Sequence, residues 1–370
     1  MPLYIGLMSG TSLDGIDAAL VDIVDDPSVP ARLIDALCLP LSDELREGLL
    51  TLTQASRIDF ATLGAMEGAF CAYQADAVAQ LLARHALSPG AITAIGSHGQ
   101  TIEHAPTATP PYTCQMDNPS LLAELTGCCV VADFRRRDMA AGGQAAPLAP
   151  IFHQAVFGHA SRTRLVLNLG GIANLTRLAP AETLPVIGFD TGPANLLVDA
   201  WHARHRQGPI DTDGEWAASG TVDKGLLSRL LEEPFFHQPP PKSTGRERFH
   251  LAWLEQRLAG SERSADVQAT LAELTAVSVA RAARPFVSDT DTDLIVCGGG
   301  ARNRHLMQRL AAHLPEVSFL DCHDFGWSAD WLEAGAFAWL AWRRLKALPG
   351  NLPEVTGARG PRVLGGIYAP

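Results

Sequence analysis

The sequence predicts an α/β protein built from two halves of similar plan. Three observations carry that reading. The chain opens on two apolar runs, LYIGLM and IDAALVDI, that flank the polar tip SGTSLDG. A second pair, TRLVLNLGG (163–171) and ANLTRL (173–178), repeats the order strand, glycine-rich tip, strand. Around these hairpins, short apolar runs alternate with segments whose apolar residues recur every three or four positions. The hairpins share a plan and no sequence identity to speak of, so the repeat is weak. It suggests two similar domains facing each other across a cleft, the usual place for a ligand.

In order, strands are expected near 3–8, 16–24 and 31–38, and helices near 42–54 and 59–86. Strands return near 91–97, 113–117 and 128–134. The segment DMAAGGQAAPLAP (138–150) breaks the pattern with Gly, Ala and Pro and marks a crossing between domains. Strands resume at 163–171, 173–178 and 184–190, followed by helices over about 193–206 and 264–286. DTDLIVCGGG reads as strand then turn, and ARNRHLMQRLAAHL as a helix. A last helix is expected over 328–348, with Ser328 as its N-cap. The division expected is an N-terminal domain, 1–143, joined by the tail 345–370, and a C-terminal domain, 144–344.

Of 370 residues, 47% are apolar and 19% charged, enough for a substantial core. A net charge of −11 argues against a nucleic-acid or anionic-membrane partner. An anionic ligand would then be held by local donors, a metal or a few placed arginines. The seven cysteines show no CxxC or Cys/His spacing and read as small buried residues of a reducing cytosol. There is no leader pattern and no apolar stretch of about 18 residues, so a soluble cytoplasmic protein is expected.

Several motifs can carry chemistry. SGTSLDG offers glycine backbone and hydroxyls to phosphate oxygens, although Asp14-Gly15 is also a good hairpin turn. It is not a Walker loop, since it lacks the lysine and leads into a strand. NLGGIANLT (168–176) is a second such tip. In GFDTGPAN, Asp190 stands at a strand's carboxyl end beside Thr191, either as a helix cap or as a general base. IVCGGGARN could seat a nucleotide, but Asn303 stands where a dinucleotide fingerprint needs glycine. GSHGQTIEHAP carries His98, Gln100 and His104, better suited to hydrogen bonding than to a metal. DFRRRDMAAGGQ holds Arg135, Arg136 and Arg137, a solvated turn or a clamp for an acidic group. KSTGRERFH is another polar glycine loop, and Glu333 sits amid apolar residues, either facing solvent or with a task.

Taken in order, GLMSGTSLDGID, GSHGQT, DFRRRDMAAGGQAAPL, LNLGGIANLT, GFDTGPAN, STGRE and CGGGARN span nearly the whole chain. The set resembles the anhydro-N-acetylmuramic acid kinase family, a branch of the sugar kinase, Hsp70 and actin superfamily. Ala145 and Ala194 stand where that pattern leads us to expect glycine. The resemblance implies two actin-like (ribonuclease H-like) domains with mixed central sheets flanked by helices and the active site in the interdomain cleft. It implies use of ATP and Mg²⁺ on 1,6-anhydro-N-acetylmuramic acid, whose bridge is opened by water as O6 is phosphorylated, in cell-wall recycling. It also implies a homodimer.

By the same resemblance, Asp190 is the catalytic base and Glu333 a second carboxylate toward the attacking water. Gly10, Thr11, Ser12, Leu13, Asp14, Gly15, Ile16 and Asp17 would hold phosphates, with Asp14 reaching Mg²⁺ through water. Asn168, Gly170, Gly171, Asn174, Gly298, Gly299, Gly300 and Asn303 would complete the nucleotide site. His98, Gln100, Arg135, Thr191 and Asn195 would face the sugar. The competing readings are another sugar or carboxylate kinase of the superfamily, an actin-like or Hsp70-like ATPase that drives assembly, and a nicotinamide-linked oxidoreductase.

Overall fold

The computed structural model describes residues 2–10, 13–26, 29–180, 184–287 and 292–370. The chain divides into two compact units, Met1–Val156 with Trp331–Pro370, and Phe157–Asp330.

The first unit begins as a meander of β1 (Leu3–Ser9), β2 (Gly15–Asp22) and β3 (Arg32–Pro40). β4 (Ile92–Ala105) then runs parallel to β1. β5 (Tyr112–Met116) pairs with β4, β6 (Val130–Ala132) runs parallel to it, and β12 (Gly366–Tyr368) closes on β6. β1 and β2 are buried along almost their whole length, as strands covered on both faces must be. β3 alternates in exposure and forms an edge. One face packs on α1 (Asp43–Gln54) and α2 (Phe60–Arg84), whose Leu49, Phe70, Val78 and Leu81 meet Ile5, Leu7 and Ile16. Ser42 and Asp59 cap these helices by accepting from Leu45 N and Thr62 N.

The other face carries α12 (Leu332–Leu345), buried from Ala334 to Trp342. Gly6 and Gly96 are partners in the β1–β4 ladder. A Cβ on Gly6 would stand 1.8 Å from Ala334 O, and one on Gly96 2.0 Å from Phe337 O. The backbone of α12 therefore rests directly on two glycines, and no larger residue fits beneath it.

The second unit repeats the plan. β7 (Thr163–Leu169), β8 (Ile172–Leu178) and β9 (Ile187–Pro193) form an antiparallel meander. β10 (Thr292–Cys297) runs parallel to β7, and β11 (Ser318–Asp321) parallel to β10. The order β9-β8-β7-β10-β11 matches β3-β2-β1-β4-β6 strand for strand. α10 (Ser264–Ala283) backs this sheet together with α6 (Asn195–His205) and α11 (Arg304–His313). Within α10, Glu273 accepts from Arg309 at 2.6 and 2.9 Å, so a buried carboxylate is matched by a guanidinium.

Several expectations are corrected. The unit boundaries fall at 156/157 and 330/331 and not at 143/144 and 344/345, because α12 seals the first unit's sheet. β4 continues through GSHGQTIEHA, since its polar residues find partners inside the unit. DFRRRD forms the helix α4 (Phe134–Ala140) and not a turn. The last helix starts at Leu332, and Ser328 accepts from Asp330 N, at 3.4 Å, and does not cap it. Pro193 ends a strand and does not open a helix. The stretch 207–263 holds the helices α7 (Glu215–Ser219), α8 (Lys224–Leu231) and α9 (Leu251–Glu255), which the sequence pattern left unassigned. No helix among the described residues is long and apolar enough to cross a membrane.

Candidate active site

At the β1–β2 tip, Leu13 N donates to Gly10 O at 3.3 Å, and Leu13 adopts φ +59° with its side chain buried. Ser9 Oγ donates to Gln100 Oε1 at 2.7 Å, tying the tip to β4. Ile16 is also buried, so Leu13 and Ile16 present only backbone to a ligand. Asp14 is exposed and Asp17 half-buried. Thr11 and Ser12 lie outside the described residues. Gln100 is buried with its oxygen committed to Ser9, so it acts on the tip before it acts on any sugar.

The same unit builds a cationic corner. Of the three arginines on α4, Arg136 and Arg137 are exposed and Arg135 is drawn inward. Arg135 Nε donates to His98 Nε2 at 3.0 Å, and Nη1 donates to Ala145 O at 2.6 Å. His98 Nδ1 lies 2.8 Å from Gly99 O and can only donate there. The ring is thus a neutral Nδ1–H tautomer with Nε2 as acceptor. Burial, then the neighbouring guanidinium, hold its pKa well below the usual value. Burial likewise draws Arg135 down to about 10, against the pull of Glu333 and Asp138. Glu333, in the first turn of α12, is exposed to solvent. Protein mass still crowds it, and that dehydration raises its carboxyl while Arg135 lowers it.

Ala145 is the hinge of this corner. It is buried at φ +60°, a left-handed conformation that costs an alanine about 1 kcal/mol over glycine. Its N–H donates to Asp138 Oδ2 at 2.8 Å while its carbonyl holds Arg135. Asp138, fully buried, also accepts from Asn351 and Thr356 at 2.6 and 2.8 Å, fastening this segment to the C-terminal tail.

In the second unit Asp190 lies inside β9, in register with Asn174 on β8, which is itself opposite Asn168 on β7. Residues directly opposite share a face, so three polar side chains stand in a row across the meander. Asp190 does not cap α6. Its Oδ2 accepts from Thr244 N at 2.9 Å and from Ser243 Oγ at 3.1 Å. Burial raises its pKa, the Thr244 and Ser243 donors lower it, and Glu247 and Lys242 act in opposite directions. Thr191 is buried and donates to Ala173 O at 3.3 Å.

The start of α6 is satisfied by the second tip: Ala194 N and Leu196 N donate to Gly171 O, and Asn195 N to Gly170 O. Asn195 Nδ2 donates to Leu169 O at 3.0 Å, and a Cβ on Gly300 would lie 3.0 Å from its Oδ1. Asn195 is therefore grouped with the glycine turn and not with Asp190. A Cβ on Gly298, at φ +81°, would stand 2.3 Å from Asn168 Oδ1. Gly298, Gly299 and Gly300 thus lie against the tip Leu169–Gly171. Asn303 caps α11, accepting from Leu306 N at 3.0 Å, so only its amide nitrogen remains for a nucleotide.

Sequence reasoning quoted STGRE without giving Ser243 or Thr244 a role, it put Ser9 in the phosphate tip and not against Gln100, and it missed the Gly6/Gly96 seat. A visible signal existed for the last: single glycines inside the apolar runs LYIGLM and AIGSHG.

The family model described as anhydro-N-acetylmuramic acid kinase matches residues 2–370. The chain belongs to this family. A relative of that name from Chromohalobacter salexigens is 62% identical over 373 residues, covering 100% of both chains. Another from Pseudomonas paraeruginosa is 50% identical over 370 residues, covering 100% of this chain and 99% of that one. A third from Xylella fastidiosa is 52% identical, covering 99% and 96%. The ordered motifs noted in the sequence are thus those of an anhydro-N-acetylmuramic acid kinase. No group of three His, Cys, Asp or Glu among the described residues is arranged to hold a metal on its own.

Proposed function

We propose that this chain uses ATP to phosphorylate 1,6-anhydro-N-acetylmuramic acid while water opens the anhydro bridge. The products are N-acetylmuramic acid 6-phosphate and ADP, in cell-wall recycling. Membership of the family over the full length supports the substrate class. The observation that carries the mechanism is Asp190, a partly dehydrated carboxylate with one oxygen held and the other without a protein partner among the described residues.

Asp190 takes a proton from the water that attacks C1. The C1–O6 bond breaks, and O6 receives the phosphoryl group. The family likeness supports Glu333 as a second carboxylate of the reaction. Arg135, with Nε and Nη1 already placed, turns its remaining donors to the lactyl carboxylate, and His98 sets its angle. Gly10, Gly15 and Asp17 of the first tip, and in the second unit Gly170–Gly171 and Gly298–Gly300, each offer backbone N–H groups suited to phosphate or nucleoside. Magnesium, held through Asp14, neutralises phosphate charge when bound. The family likeness also supports a cytoplasmic homodimer.

The reaction is tested in ¹⁸O-water. One ¹⁸O at C1 of the product, with none bridging to phosphorus, is expected. Phosphorylation without label at C1 would exclude attack by water there and favour an ordinary sugar kinase.

A further inference from the structure

We propose that Ser243 and Thr244 form a clamp that positions Asp190 for proton abstraction. The inference rests on Asp190 being the base. β9 is the edge strand of its sheet, and an open edge leaves backbone groups unpaired and the strand free to shift. The segment Lys242–Thr244 lies along this edge. Asp190 N donates to Lys242 O at 3.0 Å, so the backbone of the acid is fixed first.

Two further donors then converge on a single carboxylate oxygen. Thr244 N and Ser243 Oγ both reach Oδ2, at 2.9 and 3.1 Å. With both on Oδ2, rotation of the carboxylate about its Cβ–Cγ bond is stopped, and Oδ1 is the oxygen left to take a proton. The loop itself is anchored away from the acid. Lys242 Nζ donates to Phe235 O at 3.1 Å and lies 4.6 Å from the centre of the Phe235 ring. Phe249, at the other end of the loop, is buried against Phe235 at 5.8 Å between ring centres. The loop is thus a rigid strap fastened at both ends, with its two donors under the acid.

The clamp has a second effect. The charged groups acting on Asp190 are Glu247 and Lys242, one of each sign, and both belong to the strap. Dehydration favours the neutral acid, and the two donors counter it by stabilising the carboxylate. They keep the base ionised at lower pH than burial alone would allow. Ser243 and Thr244 are therefore positioning residues and need not touch substrate.

The test is the pH profile of kcat/KM for the anhydro sugar, measured on the full chain with saturating Mg·ATP. Ser243→Ala removes the side-chain donor, and its acid limb is expected to move up by about half a pH unit. Ser243→Thr keeps a hydroxyl and is expected to return the limb to its wild-type place. Thr244→Val retains the backbone donor and removes a hydroxyl that has no partner among the described residues, so it should leave the limb unmoved. A limb unmoved in Ser243→Ala, or moved as far by Thr244→Val, would overturn the clamp. Asp190→Asn separates this from the larger reading. If that variant keeps wild-type activity, Asp190 is not the base and the clamp falls with it. If it collapses while Ser243→Ala is unshifted, the clamp alone fails. Thermal melts of each variant show whether a change in rate accompanies loss of fold.

Discussion

The two units share one strand order and hold their acids in opposite ways. In the second, Asp190 comes from an edge strand, and two hydrogen-bond donors meet one of its oxygens. In the first, Glu333 comes from a helix, and what fixes it is the seat of that helix on Gly6 and Gly96. One acid is held by hydrogen bonds to a single oxygen. The other is carried by the packed backbone of its helix. Burial raises both, but only Asp190 has donors against that shift, whereas Glu333 has a cation. The same strand order therefore carries two carboxylates held by different means.

The contrast can be broken at the glycine seat. Gly6→Ala drives a methyl into the backbone of α12 and is expected to cost about 3 kcal/mol, read as a lower denaturant midpoint. Activity of the folded fraction should fall too, since Glu333 moves with its helix. An unchanged midpoint would show that the helix can lift without penalty. A smaller effect is expected from Glu333→Gln, which keeps the shape and removes the charge. It should lower kcat about tenfold, well short of the loss at Asp190. Equal losses at the two positions would erase the difference in role.

A third acid sharpens the comparison. The Asp117 carboxylate is buried, and among the described residues neither oxygen has a hydrogen bond of normal geometry, although Ser97 and Gln74 lie close enough to soften the effect. Its pKa is raised from 3.8 to about 6, mainly by dehydration. The folded protein thus holds this proton more tightly than the unfolded chain. Stability is full below pH about 4 and is lost as pH rises through about 6. Asp117→Asn should raise stability at pH 7.5 by about 2 kcal/mol, a gain that vanishes near pH 4. A gain of equal size at both pH values would mean that charge is not the cause.

Much of this was legible in the chain. Both hairpins and the strand bearing Asp190 follow from local pattern, because turns and period-two runs are local physics, although that strand runs on past Asp190 to Pro193. The corrections share a different origin. Polar GSHGQT continues a strand because Gln100 finds Ser9 ninety-one positions away, and the Ser243–Asp190 bond spans fifty-three. α12 begins at Leu332 because the seat for its backbone is a pair of glycines far earlier in the chain. Ala145 shows the reverse case: glycine was expected there, and its φ of +60° gives the reason. No local window contains these partners, so pattern alone could name the residues but not join them.

The central claim is that Asp190 activates water for a sugar-dependent kinase. It is tested most directly by ADP release with Mg·ATP, with and without 1,6-anhydro-N-acetylmuramic acid, on the wild-type chain and on Asp190→Asn. The account predicts strong stimulation by the sugar in the wild type and its loss by at least about a hundredfold in the variant. ATP turnover that ignores the sugar, or a variant that responds to it as the wild type does, would contradict it.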